Sequence, residues 1–215
     1  MKKLFLSFTL SLVIFAAYAQ SEKYMNAMKE RIAAVDTTRN IEGLQALSNT
    51  FERIADAEKT QWLPYYYAAL SMINSGYSMM NNPNPDKIDP LSDKAEILLN
   101  KADALSKDNS EIYAVKKMIA TLRYFVDPMN RYMKYKPQAD QALETARKLN
   151  PENPRVYLLE GQDKFYTPEQ YGGSKAEAKK LFEEAMKRYE SVKPASAIAP
   201  QWGKGTTQYF ISQIK

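Results

Sequence analysis

Apolar side chains recur three and four positions apart along almost the whole chain. This is the period of one face of an α-helix. Sustained alternation of apolar and polar residues, which is typical of a half-buried strand, does not occur in the sequence. The pattern therefore predicts an all-α fold of about eight or nine helices.

Turn and capping residues divide this pattern into separate helices. Asn153 followed by Pro154 is typical of a helix start, because the Asn side chain can cap the helix and Pro is tolerated at its first position. The predicted helices cover about 21–35, 39–57, 61–80, 90–106, 110–126, 137–149, 154–166, 174–190 and 200–213.

Four of these helices share a motif in which a bulky apolar residue lies four positions after one small or apolar residue and three before another. The copies are Leu47-Phe51-Ile54, Ala95-Leu99-Ala102, Ala139-Leu143-Ala146 and Ala178-Phe182-Ala185. Preceding helices carry an aromatic residue four positions before a smaller one, as in Tyr65 and Ala69, Tyr157 and Gly161, and Trp202 and Thr206.

These positions resemble those of the tetratricopeptide repeat over about Ile41 to Phe210. The resemblance implies an α-α superhelix of antiparallel helix pairs. Successive copies are further apart than the 34 residues of the family, and the extra residues lie before the second helix, in NNPNPDKIDP, DPMNRYMKYKP and TPEQYGGS. We therefore expect an irregular TPR-like superhelix with these three insertions along one edge.

The first twenty residues, MKKLFLSFTLSLVIFAAYAQ, have the pattern of a secretory signal: two lysines, an apolar run, and the small residues Ala17 and Ala19. Cleavage is expected after Ala19, which leaves residues 20–215 as a single helical-repeat domain. The apolar run is shorter than the roughly 20 residues of a membrane span. We expect an exported protein, periplasmic or secreted, without stable membrane insertion after cleavage.

The absence of His and Cys excludes several kinds of chemistry. A Ser-His-Asp triad, an imidazole base and a thiolate metal site all need one of these residues. The net charge of +5 comes from interspersed charges and includes no basic run, so it does not favour a nucleic-acid partner. We expect no catalytic activity, no cofactor and no metal site.

Gly172 and Gly173 form the only pair of adjacent glycines, directly before Ser174 and Lys175. A Walker-type phosphate loop requires a different glycine spacing and residue order. We predict a structural turn instead, because glycine permits the positive φ that ends one helix. Ser174 and Glu177 then form a capping box at the start of the next helix.

Tyrosines are the strongest candidates for a binding surface, since a tyrosine offers a large contact area and a polar tip. Tyr65, Tyr66 and Tyr67 would point about 100° apart on a helix, so at least one, assigned here as Tyr66, is expected to face a groove or solvent. The insertions add Arg131, Tyr132, Tyr135, Tyr166 and Tyr171 as candidates. Asp163 and Lys164 are a further candidate, as part of a carboxylate–ammonium site.

Two functions fit these features best, and an enzyme with a carboxylate- or tyrosine-based site is the third alternative. The first is a non-catalytic exported scaffold that binds a protein or peptide in the bacterial periplasm or envelope. The alternative is a periplasmic protein that binds a small molecule or glycan, similar to the helical-repeat components of tripartite transporters. An open concave groove would favour the first function, and a deep aromatic pocket the second. The terminal helix face around Trp202 and Phe210 is either a cap or a dimer contact.

Overall fold

Helices form the architecture of residues 22–214, the part of the chain that the structure, a computed structural model, describes. The predicted signal segment, with Ala17 and Ala19, lies outside the described residues. The helices are α1 (22–35 in the described range), α2 (Ile41–Glu58), α3 (Trp62–Tyr77), α4 (Pro85–Leu105), α5 (Ser110–Val126), α6 (Pro128–Leu149), α7 (Pro154–Tyr166), α8 (Lys175–Ser191) and α9 (Lys204–Gln213). No strand occurs in this range, so the predicted all-α fold is confirmed.

Successive helices from α2 to α9 pack side by side, and the odd-numbered helices α3, α5 and α7 also contact one another in order. These three helices form an inner layer, with α2, α4, α6 and α8 packed against it. The apolar core is continuous from α1 to the end of α9. The inner layer is the surface on which the candidate site is built.

Two helices begin earlier than predicted. Pro85 and Pro128 each occupy a first helical position, after Asn84 and Asp127, whose side chains accept backbone N–H bonds. A proline there loses no helical hydrogen bond. The predicted starts at 90 and 137 are wrong because the later prolines, Pro90 and Pro137, lie inside α4 and α6. Most of the first two insertions is therefore extra helix.

The third insertion is a short 3-10 turn, Glu169–Tyr171, that ends at Gly172. Gly172 has a left-handed backbone, with φ of 90°, which favours glycine. A Cβ on Gly173 would lie 1.7 Å from the carbonyl oxygen of Thr167, so only glycine fits this close approach. The two glycines thus have separate steric roles in one tight turn.

Ser174 caps α8, since its hydroxyl accepts the Glu177 N–H at 3.1 Å. The reciprocal half of the predicted capping box does not form. The Ser174 N–H donates to the Lys164 carbonyl, and the Glu177 carboxylate lies 2.7 Å from the Lys164 ammonium. The predicted box is wrong in this half, because the returning turn brings α7 close enough to provide both partners.

The segment 192–203, between α8 and α9, returns across the inner layer. The Tyr67 hydroxyl donates to the Ile198 carbonyl at 3.2 Å, and the Trp202 Nε1–H donates to the Tyr66 hydroxyl at 2.6 Å. Trp202 and Phe210 are buried in the core of this chain, where they act as a cap on the inner layer.

This segment also corrects one expectation. Tyr65, Tyr66 and Tyr67 are all buried, so the prediction that at least one faces a groove or solvent is wrong. Helix α3 contacts α2, α4 and α5, and the returning segment covers the face at Tyr66 and Tyr67. Neighbouring helices and the returning segment therefore cover all three tyrosine side chains.

Candidate functional site

A groove of about 550 Å³ lies on the inner layer, between the α1–α2 turn on one side and α9 on the other. Helices α3, α5 and α7 contribute the residues between these two walls. The volume is within the usual range for small-molecule sites, about 300–1,000 Å³. The residues that line the groove are Val35, Asp36, Thr38, Arg39, Leu44, Asn74, Tyr77, Ser78, Met118, Leu158, Leu159, Gln162, Trp202, Gly203, Gly205, Thr206, Tyr209 and Phe210.

Apolar side chains dominate the interior of the groove. Leu44, Leu158, Leu159 and Phe210 are buried, and Met118 lies beside them. Because these side chains are already largely shielded from water, the gain in free energy comes mainly from the apolar surface of a ligand that they would cover. The interior is therefore suited to a ligand with an extensive apolar surface.

Apart from those at the mouth, the polar residues of the lining are Thr38, Asn74, Tyr77, Ser78 and Gln162. The Tyr77 hydroxyl donates to the Met118 carbonyl at 2.9 Å, and desolvation by burial raises the pKa of Tyr77 well above its ordinary value. Asn74 and Gln162 are half-buried and carry amide groups. A small number of polar groups on apolar walls is the usual composition of a site that orients a ligand.

The mouth of the groove is polar and exposed. Asp36 and Arg39 lie on the α1–α2 turn, and Thr206 and Tyr209 lie on α9. Desolvation raises the pKa of Asp36, while Arg39 and the Gly203 N–H act in the opposite direction. The mouth thus has one anionic and one cationic side chain in the described part of the chain.

A buried ion pair supports the α9 wall. The Arg155 guanidinium lies 2.5 Å from the Glu111 carboxylate, and the Tyr66 hydroxyl donates to the same carboxylate at 3.2 Å. Burial opposes the charge on Arg155, but Glu111 stabilises it, and the pKa of Arg155 is raised. The Trp202 carbonyl accepts a hydrogen bond from Tyr189 at 2.9 Å. These contacts hold Trp202, and with it the start of α9, against the inner layer.

The predicted candidates of the second insertion lie away from this groove, on α6. Arg131 forms a two-pronged pair with Asp89 of α4, at 2.7 and 2.9 Å. Tyr132 packs edge-on against Tyr124, and Tyr135 lies near the Arg123 guanidinium. These contacts join α6 to α4 and α5. Tyr66 is likewise buried in the core and does not line the groove.

The candidates of the third insertion, Tyr166 and Tyr171, lie nearer to the groove. Tyr166 packs edge-on against Phe210, which lines the groove and also packs against Tyr209. Tyr171 is 74% exposed on the 3-10 turn. The structure therefore brings Tyr166 to the edge of the groove, whereas Tyr132 and Tyr135 belong to another surface.

The carboxylate and ammonium groups of Asp163 and Lys164 have separate partners. Asp163 lies 2.6 Å from the buried ammonium of Lys117, on α5. Lys164 pairs with Glu177 of α8. Asp163 therefore joins α7 to α5, and Lys164 joins α7 to α8.

Two other depressions are less suited to an apolar ligand. One of about 290 Å³ lies between α4, α5 and α6, and charged and amide groups such as Lys116, Arg123 and Gln141 form much of its lining. The other, of about 660 Å³, is bordered by Lys175, Lys179 and other polar residues of α8. The groove on the inner layer has the more extensive apolar walls.

Within residues 22–214, no group of three or more acidic side chains is arranged to hold a metal ion. None of the helices in the same range is long and apolar enough to cross a membrane.

The sequence pattern did not identify the groove residues as a site. Trp202 and Thr206 belong to the repeat pattern, and Arg39 is the first residue of the predicted helix 39–57, although the structure places it in the turn before α2. A turn arginine has no local signal of binding. Its position at a groove mouth depends on the arrival of α9, which lies at the other end of the chain.

No protein-family model matches the chain. A search of curated proteins also found no match. Among solved structures, the chain is similar to the HusA haemophore from Porphyromonas gingivalis, with 33% sequence identity and a TM-score of 0.78. The alignment covers 89% of this chain and 92% of that chain.

Proposed function

Because this chain belongs to the family of the HusA haemophore, we propose that it is an exported, non-catalytic protein that carries a haem-like ligand in the groove. A haemophore is a haem carrier, and the proposal transfers that role to this chain. The observation that carries it is the apolar groove on the inner layer, combined with similarity over nearly the whole length of both chains. The fold is assigned as TPR-like, on the basis of the four copies of the helix-pair motif.

Haem is a flat apolar ring system with a central iron and two carboxylate side chains. The groove offers apolar residues such as Leu158, Leu159 and Phe210 to the faces of the ring. Haem iron is held in proteins by His, Cys, Met or Tyr. The chain has no His or Cys, and the groove residues of the other two types are Met118, Tyr77, whose hydroxyl donates to the Met118 carbonyl, and Tyr209 at the mouth. We propose that the apolar walls, rather than an iron ligand, provide most of the binding free energy.

This proposal favours the small-ligand alternative over a peptide-binding scaffold. The groove is not the deep aromatic pocket expected of a small-ligand protein, but it also differs from the open concave face that a peptide scaffold would use. Here the segment 192–203 fills part of that face, and Ile198 and Trp202 are buried against α3. The remaining volume of about 550 Å³ is of the size of a small-molecule site.

Gly205 provides a way to test the groove without disturbing the core. It lines the groove, and a Cβ placed on it would have no atom within 4 Å. Gly205→Trp would therefore fill the groove with a bulky side chain. Gln208→Trp is the matched control, since Gln208 is exposed on the same helix and does not line the groove.

Haem affinity would be measured by absorbance titration of the mature protein. We expect Gly205→Trp to weaken haem binding at least about tenfold, because the indole occupies the ligand volume. Gln208→Trp should bind haem as the unmodified protein does, and circular dichroism should show equal helicity for both variants. Equal haem affinity in Gly205→Trp and Gln208→Trp would contradict the assignment of the groove, and no haem binding by the unmodified protein would contradict the function.

A further inference from the structure

Arg39 differs from most other arginines in residues 22–214 in forming no ion pair with a carboxylate of that range. Six arginines in the described range form ion pairs with carboxylates, namely Arg31, Arg123, Arg131, Arg147, Arg155 and Arg188. For Arg39, no carboxylate of residues 22–214 lies within ion-pair distance, and its guanidinium donates only to the Thr38 carbonyl, at 3.3 Å. Most of its five N–H donors are therefore available to another molecule.

The position of Arg39 places these N–H donors at the mouth of the groove. It precedes Asn40, the residue that caps α2, and it is the one cationic side chain among the groove-lining residues that the structure describes. It lies at the exposed mouth, whereas the interior is apolar. A ligand that fits this distribution is apolar along most of its length and anionic at the end that faces the mouth.

Asp36 is the group at the mouth that opposes an anion. Its charge is balanced from several sides, by Arg39, by the Gly203 N–H and by Arg155. Arg155 of α7 and Gly203, the residue before α9, therefore stabilise the Asp36 carboxylate in addition to Arg39, which forms no ion-pair contact with it. This arrangement leaves the Arg39 guanidinium free to form a two-pronged contact with a second carboxylate, which is the geometry that arginine prefers.

We propose that Arg39 recognises a carboxylate of the ligand at the mouth of the groove, while the apolar part of the ligand lies against the inner layer. The ligand class is thereby narrowed to apolar ring systems that carry a carboxylate. This inference rests on the proposed function, since haem belongs to that class through its two carboxylate side chains.

The test compares haem with its dimethyl ester, in which both carboxylates are blocked. Arg39→Gln removes the cation and keeps a polar but shorter side chain. Arg53→Gln is the matched control, because Arg53 is exposed on α2, contacts only Thr50 through its guanidinium, and does not line the groove. Arg39→Lys keeps the charge but loses the two-pronged geometry.

We expect Arg39→Gln to weaken haem binding about tenfold and to leave the affinity for the dimethyl ester unchanged. The haem affinity of Arg39→Lys should lie between those of Arg39→Gln and the unmodified protein. Arg53→Gln should bind both ligands normally. The loss of haem affinity caused by Arg39→Gln should be smaller in high salt, because salt screens a charged contact.

The outcomes separate this inference from the proposed function. If Arg39→Gln binds haem normally while Gly205→Trp does not, the groove is correct and the role of Arg39 is wrong. If Arg39→Gln weakens binding of the dimethyl ester as much as binding of haem, the arginine acts through the shape of the site. The proposed recognition of a carboxylate is then also wrong. If the unmodified protein binds neither ligand, both proposals are overturned.

Discussion

Replacing Glu111 with Gln tests the buried ion pair that holds the α9 wall in place. Only 8% of the Arg155 side chain and 15% of the Glu111 side chain are exposed, and their charged groups are 2.5 Å apart. The substitution preserves the shape of the side chain and removes its charge. Arg155 would then remain buried without its ion-pair partner, because the intrinsic basicity of a guanidinium keeps it protonated.

The expected loss of unfolding free energy follows from the cost of burying a charge without its ion-pair partner. Removing one partner of a buried pair costs about 3–5 kcal/mol. Gln retains an oxygen that can accept hydrogen bonds from Tyr66 and Arg155, so we expect the lower end, about 3 kcal/mol of unfolding free energy. For a chain of this size, that loss lowers the melting temperature by about 6–12 °C.

Thermal and urea unfolding followed by circular dichroism would measure the change. Glu144→Gln is the control, since Glu144 forms an exposed ion pair with Lys148 and its loss should leave the melting temperature unchanged. Arg155→Met and the double variant with Glu111→Gln complete a double-mutant cycle. Equal melting temperatures of Glu111→Gln and Glu144→Gln would contradict a stabilising role of this ion pair. Additive losses of unfolding free energy in Glu111→Gln and Arg155→Met would contradict it as well.

Two further predictions concern packing and ionisation in the inner layer. Gly161→Ala would place a methyl group 2.6 Å from the ring of the buried Phe182, so we expect a loss of about 1–3 kcal/mol in urea unfolding; an unchanged midpoint would show that the ring can move aside. Desolvation raises the pKa of Tyr66 and Tyr67, so the native state keeps protons that the unfolded chain loses above about pH 10. Stability should then fall by about 1.4 kcal/mol per tyrosine at pH 11, and titration of both phenols near pH 10 in protein that stays folded would contradict their burial.

Local chemistry is the part of the structure that the sequence predicts well. The Asn153 side chain accepts the Arg155 N–H at 3.0 Å, and Ser174 accepts the Glu177 N–H, so α7 and α8 begin where the capping residues indicate. Gly161 and Phe182 meet in the core as the repeat motif implies. These features depend on residues within one helix or in adjacent helices, and their spacing is visible in the chain.

Prolines show where local interpretation is ambiguous. Pro85 and Pro90 lie five residues apart, and either could begin a helix. The structure begins α4 at Pro85 and retains Pro90 inside it. A proline inside a helix removes one hydrogen bond, and the rest of the helix must compensate through packing. Capping patterns alone do not measure that compensation.

The sequence by itself determined the helical class, most helix positions, the repeat motif and the absence of imidazole and thiol chemistry. Tertiary structure alone decided the site. Tyr66 and Tyr67 are buried because Ile198 and Trp202 return to them from the other end of the chain, and Tyr67 and Ile198 are separated by 131 residues. The same return places α9 opposite Arg39 and creates the groove. Periodicity and capping act over a few residues, whereas this long-range contact depends on the complete packing of the helices between its two ends.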